Sequence, residues 1–382
     1  MKTQTRSAGW LAANLFALGL AGSLAACGGS DYGGGMATPA APTQLPPVTP
    51  PVVTMAYSAK SIVSDVVGNA ANTDANLKNA WGIAFNPTGF VWVANNGSST
   101  STLYDGNGVP QTLIVSLPAG QSGANSPTGI VFNSSQDFKV SQGGKTGASA
   151  FIFVGESGTV SGWSPSVNLN STINVVDGGA GGKVYKGLAI SSYLGVNYLY
   201  ATDFHNGNVD VYDSTFTQVS LPGGFKDASI PAGFAPFGIQ AIGSNIYVTY
   251  AKQDAQAHDD VMGAGLGIVD VFDSSGTFLK QLVKAGALNA PWGLAMAPAN
   301  FGPFSGKLLV ANFGDGKINA YDPADGSFAG TISKADGTPI VIDGLWGIAF
   351  GNGINNQPVN TLFFTAGPAE EAHGLYGRID VQ

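Results

Sequence analysis

Short runs in which apolar positions alternate with polar ones, separated by Gly, Asp, Asn or Pro, fill the chain beyond Tyr57 and predict strands rather than helices. One run recurs six times around a glycine: WGIAF at Trp81, TGIVF at Thr128, KGLAI at Lys186, FGIQAI at Phe237, WGLAM at Trp292 and WGIAF at Trp346. The anchor glycines, at 82, 129, 187, 238, 293 and 347, lie 47 to 58 residues apart. A second apolar run follows each anchor: VWVANN, FIFVGE, YLYATD, IYVTYA, LLVANF and LFFTAG. A third follows that (TLYDGNG, TVSGWSP, VDVYDST, VDVFDSSG, INAYDPADG, GRIDV), and most units add a weaker fourth, such as QTLIVSL, TINVVD or FLKQLV.

Four strands repeated six times at a near-constant period predict an all-β, six-bladed β-propeller of four-stranded antiparallel blades. A sandwich needs no common period. The sixth unit ends after its third strand, whereas YSAKSIVSD from Tyr57 is a strand without a unit. The N-terminal strand is therefore expected to complete the last blade, closing the ring and removing its exposed edges.

The residues before this pattern belong to targeting and spacing. Lys2 and Arg6 precede an apolar stretch from Trp10 to Leu24, and Leu24-Ala25-Ala26-Cys27 follows. This resembles the lipobox of a bacterial lipoprotein, which implies a signal peptide over 1–26 and an acylated Cys27, with an ordinary cleaved secretory signal as the alternative. Cys27 is the single cysteine, so no intramolecular disulfide forms. Gly28 in place of an aspartate points, by the same resemblance, to the outer membrane; a secreted or periplasmic address is the alternative. Residues 27–53, rich in glycine and then proline, read as a disordered tether, and 54–382 as the propeller.

The propeller region is similar to NHL-like and SMP-30-like six-bladed propellers, and most of all to a bacterial family of secreted propellers, some of which carry a PEP-CTERM sorting tail. The segments NAWGIAF, VTYAKQDAQAHDDVMGAG and FFTAGPAEEAHGLYG carry the resemblance. The chain ends at RIDVQ without such a tail, which leaves anchoring to the N-terminal lipid. The resemblance implies a fold and no activity.

Charge narrows the partners. The formal net charge is −8, the leader's Lys2 and Arg6 make the mature balance more negative still, and no basic cluster follows, so nucleic acid is excluded as a partner. A monomer is expected, held at the membrane by its lipid. No serine lies in a G-x-S-x-G context, and the glycine runs at 178–182 and 263–267 do not join a strand to a helix. Covalent catalysis thus has no evident nucleophile. The aspartates at 105, 213, 273 and 322 precede Gly- or Ser-rich turns and read as turn formers.

In a propeller, the loop leading into each inner strand and the loop between the second and third strands share one face. That topology gathers Trp81, Thr128, Lys186, Phe237, Trp292 and Trp346 with Asn95, Asn96, Glu156, Asp203, His205, Asn312, Asp315, Glu370, Glu371 and His373. The fourth unit adds the most unusual stretch, KQDAQAHDDVMGAGLGIVDV, whose Lys252, Asp254, His258, Asp259 and Asp260 overhang the same mouth. Its glycines at 263, 265 and 267 suit a hinge or lid. The aromatics read either as the floor of a binding site or as packing between blades, and the asparagines either as ligands or as strand-end caps.

Asp254, His258, Asp259, Asp260, Glu371 and His373 are the metal-ligand candidates, with oxygen and imidazole donors suited to a divalent cation such as Ca²⁺ or Mg²⁺. The SMP-30-like lactonases, by resemblance, ligate their metal partly from the turn before an inner strand. Here Phe237 and Trp292, each preceded by proline, occupy that turn, and the carry-over fails. Two functions follow: a lipid-anchored cell-envelope module that binds a small molecule, a glycan or a protein through its mouth loops, or a metal-dependent hydrolase of lactonase type.

Overall fold

The computed structural model describes residues 56–382; the expected signal peptide, Cys27 and the tether lie outside the described residues. Six antiparallel sheets form a ring. Their inner strands are Ala80–Phe85, Pro127–Phe132, Tyr185–Tyr193, Phe234–Ile242, Pro291–Met296 and Leu345–Phe350, which define blades 1 to 6 in order. Each inner strand lies beside the next, and the sixth lies beside the first. The chain forms a six-bladed β-propeller.

The strand from the N-terminus does close the ring. Tyr57–Ser64 pairs antiparallel with Leu375–Val381, from Tyr57 opposite Val381 to Ser64 opposite Leu375, and is the fourth strand of blade 6. Two elements escaped the repeat reading. Asn72–Thr73 adds a short parallel strand outside Tyr57–Ser64. A hairpin of Lys139–Gln142 and Lys145–Ala148 is inserted in blade 2, which explains the long interval between Gly129 and Gly187. Among the described residues, no helix is long and apolar enough to cross a membrane.

The anchor glycines have a steric cause. At each one, a Cβ would collide with the inner strand of the following blade. On Gly238 it would lie 2.0 Å from the Trp292 carbonyl oxygen, and on Gly293 2.5 Å from that of Trp346. Gly347 faces the Trp81 carbonyl in the same way and carries the pattern across the closure. Second-strand threonines fasten the same contacts: Thr202 Oγ1 donates to the Phe237 carbonyl (2.6 Å), and Thr365 Oγ1 to that of Trp81. Farther out, apolar side chains fill the wedges between blades, as where Trp92 of blade 1 stacks on Phe151 of blade 2 at 4.1 Å.

These contacts set an expected cost. Gly238→Ala forces apart two backbones with no flexible side chain to yield, and should destabilise the protein by about 2–3 kcal/mol. Urea denaturation checks this; an unchanged midpoint would show that the inner strands tolerate separation.

The predicted aspartate turns take a common form. Asp105, Asp213 and Asp273 each accept two backbone N–H bonds through Oδ1, from residues two and four positions later. Asp322 accepts one from Ala324 and pairs with Lys307 at 2.7 Å.

Candidate functional site at the channel mouth

Aromatic rings pack together across the channel. Trp346 stacks between Trp81 (3.7 Å between centroids) and Phe313 (3.9 Å), while Phe237 and Trp292 meet it edge-on. Trp81 and Trp346 are 2% and 1% exposed. They form a plug in the core, not an accessible floor, which corrects the binding-site reading for those two residues. Trp292 is half-buried, and its Nε1 donates to the Lys186 carbonyl at 2.8 Å. On the other side of the plug, the far ends of the six inner strands line a funnel that includes Phe85, Phe132, Gln240, Met296 and Phe350.

Above the plug sits one buried cation. Lys186 is 1% exposed. Its ammonium lies 5.2 Å over the Trp81 ring, donates to Glu156 Oε1, and reaches Asp259 Oδ1 at 3.0 Å. Burial alone would depress the lysine pKa, but the charges of Glu156 and Asp259 outweigh it and raise the value. Asp259 lies on the exposed insertion; burial of its carboxyl works against ionisation, yet Lys186 and then His258 hold it below the usual carboxylate range. His258 Nδ1 lies 3.0 Å from Asp259 Oδ1.

A hydrogen-bond chain runs from the plug to this lysine. Trp346 Nε1 donates to Asn79 Oδ1 (3.1 Å), and Asn79 Nδ2 donates to Glu371 Oε2 and to Asn96 Oδ1 (3.3 Å). Asn96 Nδ2 in turn donates to Glu156 Oε2 at 2.8 Å. Burial raises Glu371 while the Asn79 amide pulls against it. Asn79 adopts a left-handed φ of 45°, a conformation asparagine tolerates better than most residues. Glu371 ends a run of three left-handed residues, Ala369, Glu370 and Glu371, with φ of 57°, 54° and 65°. Each such non-glycine residue costs about 1–2 kcal/mol, and strain of this kind concentrates at working sites.

Asp260 completes the cluster. Its Oδ2 is buried and has no hydrogen-bond partner. Burial pushes the carboxyl up to about 7; Lys186 pulls it down, and Glu371 and Asp259 push it further up. The folded protein therefore keeps a proton that the unfolded chain releases near pH 4. Stability contributed by this proton is lost as pH rises from about 4 to about 7 and stays lost above that. Asp260→Asn should raise the melting temperature at pH 8, leave it nearly unchanged at pH 4, and flatten the slope between. Thermal melts across that range check it, and a variant that tracks the wild type at every pH would remove Asp260 from the account.

The remaining predicted residues divide clearly. Asn95 and Asn312 are wholly buried at strand ends, where Asn95 Nδ2 meets Thr100 and Thr102 and Asn312 Nδ2 meets the Ala287 carbonyl and Asp315. Asp203 caps its own turn through Asn206 and the Val184 N–H, and Asp315 pairs with Lys317. Lys252 is exposed at the end of a strand. Asp254 accepts the backbone N–H groups of His258 and Asp259 and so shapes the insertion from within. His205 approaches the Ala257 carbonyl at 3.3 Å, and with His258 and Glu156 it borders an open pocket of roughly 540 Å³. His373 turns away to Asp65, 3.0 Å from Nδ1 to Oδ2. Glu370 joins Asp315, Asp343 and Glu371 around a neighbouring pocket.

The insertion's candidate residues are thus only partly brought together. The metal-ligand set is not brought together: His258 and Asp259 gather with Glu156, with ligand atoms within 4.8 Å of one another, whereas Asp254 and His373 are engaged elsewhere. The insertion's glycines are tied to the strands beside them. Gly263 N donates to Asn289 Oδ1, Gly265 N to the Leu288 carbonyl, and Gly267 accepts from Ala285 N. The tip is itself a closed hairpin, with Asp254 N bonded to the Asp259 carbonyl and Val261 N to that of Lys252.

Asn79 was missed in the sequence, and Lys186 was gathered at the mouth without a role of its own. Lys186 had a signal: it is charged where the other five repeats carry Trp, Thr or Phe before the glycine. Asn79 had none, because its role depends on Trp346 and Glu371, which are distant in sequence.

The sequence matches no family model. It is 35% identical over 326 residues to "Uncharacterized protein R648" of Acanthamoeba polyphaga mimivirus, covering 83% of this chain and 78% of that protein. It is 32% identical over 319 residues to "Uncharacterized protein L690" of the same virus, covering 81% and 82%. Among solved structures, a structural genomics protein of unknown function from Bacteroides thetaiotaomicron VPI-5482 aligns with a TM-score of 0.55 at 12% identity, over 86% of this chain and 76% of that one. That likeness shows the fold alone. Both of these relatives are viral, not the bacterial secreted propellers that the resemblance implied.

Proposed function

Since the chain belongs to the family of these mimivirus proteins, whose names state no activity, we propose a function from the mouth itself: a binding module that takes a cationic group of a small molecule, glycan or protein. The carrying observation is the charge balance around Lys186. Glu156, Asp259, Asp260 and Glu371 surround one buried ammonium, and Asp315, Asp343 and Glu370 extend the acidic surface beside Met262 and Phe313. Carboxylates in excess of cations, beside apolar surface, suit a ligand with a positive head and an apolar body.

The alternative is a metal-dependent hydrolase with a cation on Glu156, His258 and Asp259. The position of Lys186 speaks against it, because its ammonium already bridges Glu156 and Asp259 and a metal would have to displace a buried charge. The reading as a lipid-anchored envelope protein, outer-membrane by preference, rests on the Leu24–Cys27 sequence and is part of the proposal.

Thermal melts of the full chain with agmatine, neutral sugars, lactones and divalent cations test the function, since a ligand selective for the folded state raises its melting temperature. Agmatine should stabilise the wild type, less so at high salt, and the combined Asp260→Asn and Glu371→Gln variant should lose the effect. Stabilisation by sugars alone, or lactone hydrolysis that needs metal and disappears in Asp259→Ala, would replace this reading. Cys27→Ser should move the protein out of the membrane fraction; retention there would refute the anchor.

A further inference from the structure

A second carboxylate site lies away from the mouth, in the seam between blades 3 and 4. The third strands of most blades place a polar side chain two residues before an aromatic: Thr102, Ser161, Asp210, Asp270 and Asn319. All but Asp210 are at most 1% exposed. Two of the five are aspartates, and the two blades treat them differently.

In blade 3, Lys183 Nζ meets Asp210 at 2.6 Å and the Tyr185 hydroxyl donates to it at 2.7 Å. The charge is neutralised from within. In blade 4, counting back from the anchor glycine, Phe234 occupies the place of Lys183. Asp270 is fully buried, and neither of its carboxylate oxygens has a hydrogen-bond partner.

What faces Asp270 is a second acid. Asp227, on the segment between blades 3 and 4, reaches it beside Gln281, which stands opposite Asp270 in the blade-4 ladder and bonds Asp227; Gln281 and Tyr250 lie against Asp270 without completing a bond. Ser229 Oγ donates to Asp227 Oδ2 at 2.7 Å, and Gln281 Nε2 reaches the same oxygen at 3.2 Å. The nearby lysines are turned elsewhere: Lys226 to Asn208, and Lys280 to the carbonyls of Pro323 and Ala324. A buried carboxylate without partner or counter-charge is costly. The missing component is positive.

We propose that Asp227 and Asp270 form a structural site for a hard divalent cation, calcium by its chemistry, with Ser229 Oγ as a neighbouring oxygen donor. The donors are all oxygen, with no nitrogen or sulfur ligand to favour zinc or copper. Two carboxylates balance one divalent charge. The cation takes in blade 4 the part that Lys183 takes in blade 3, and ties the segment between the blades to the third strand of blade 4.

The test uses the purified full chain, stripped with chelator and exchanged into calcium-free buffer at pH 7.5. Calcium alone, at about a hundredfold its dissociation constant, should raise the melting temperature by roughly 5 °C. Equilibrium dialysis with radioactive calcium should count one site. Asp270→Asn and, separately, Asp227→Asn should lose both the shift and the bound calcium, while Asp259→Asn at the mouth keeps them. Ser229→Ala serves where an aspartate variant fails to fold, and should weaken calcium binding several-fold. No calcium shift in the wild type, with stability that falls as pH rises toward 7, would mean that the two acids share a proton, and would overturn the proposal. A shift that survives in Asp270→Asn but vanishes in Asp259→Asn would move the cation to the mouth and overturn it equally.

Discussion

Lys186→Met is expected to destabilise the protein by about 3–5 kcal/mol at pH 8, the scale on which removal of one partner from a buried ion pair acts. Methionine fills much of the volume, so the loss is one of charge rather than of packing. Without the ammonium, Glu156 and Asp259 lose their bridge, and Asp260 and Glu371 lose the charge that lowers them. Asp260 and Glu371, already raised by burial, then rise further in the folded state, so folding favours protons. The deficit should shrink as pH falls toward 5 and persist in full above 7. Urea denaturation at both pH values measures it. Equal stability of the two proteins at pH 8 would show that the mouth carboxylates do not depend on this lysine.

Trp346→Ala should cost about 3–5 kcal/mol, as do other truncations of large buried aromatics. Here the loss is spread over several partners. Trp81 and Phe313 each lose a stacked neighbour, and Phe237 and Trp292 lose an edge contact. Asn79 Oδ1 loses the donor that orients it toward Asn96 and Glu371. The vacated volume also lies between the mouth and the funnel of the opposite face. A midpoint shift worth less than about 1 kcal/mol, below the usual range for such a change, would mean that the plug collapses to refill the space.

The two variants separate what the mouth requires for charge from what it requires for shape. If agmatine binds as proposed, Trp346→Ala should weaken it indirectly, through Asn79 and Glu371. Lys186→Met should alter its salt dependence.

The ring was legible because its physics is periodic. Each anchor glycine, from Gly82 to Gly347, is demanded by the backbone of the next blade, so the same local requirement appears six times in the chain. Closure was legible for a related reason: an unpaired strand at Tyr57 and a missing one after Val381 are complementary defects in a repeat. The turn aspartates bond within four residues of themselves, and a short window of sequence contains both partners.

The site was legible only as a shared face. Trp81 and Trp346 stood among the loops of the mouth, but whether they line it or plug it depends on six blades converging at once. His373 and Glu371 are two residues apart, yet one bonds Asp65 and the other Asn79, a divergence produced by the left-handed turn that ends at Glu371. Asp210 and Asp270 look alike in VDVY and VDVF. One has a lysine and the other a second acid, because the residues leading into their blades differ.

The sequence by itself determined the all-β class, the six blades, the strand order within each and the N-terminal closure, since backbone spacing and hydrogen-bonded pairing repeat locally. Only the tertiary structure decided that Lys186 is the buried cation at the mouth, that the tryptophans pack together across the channel, and that Asp227 meets Asp270. Those facts depend on side chains from different blades meeting in a low-dielectric interior, where a neighbour's charge or ring sets the energy. No local pattern encodes which neighbour that is.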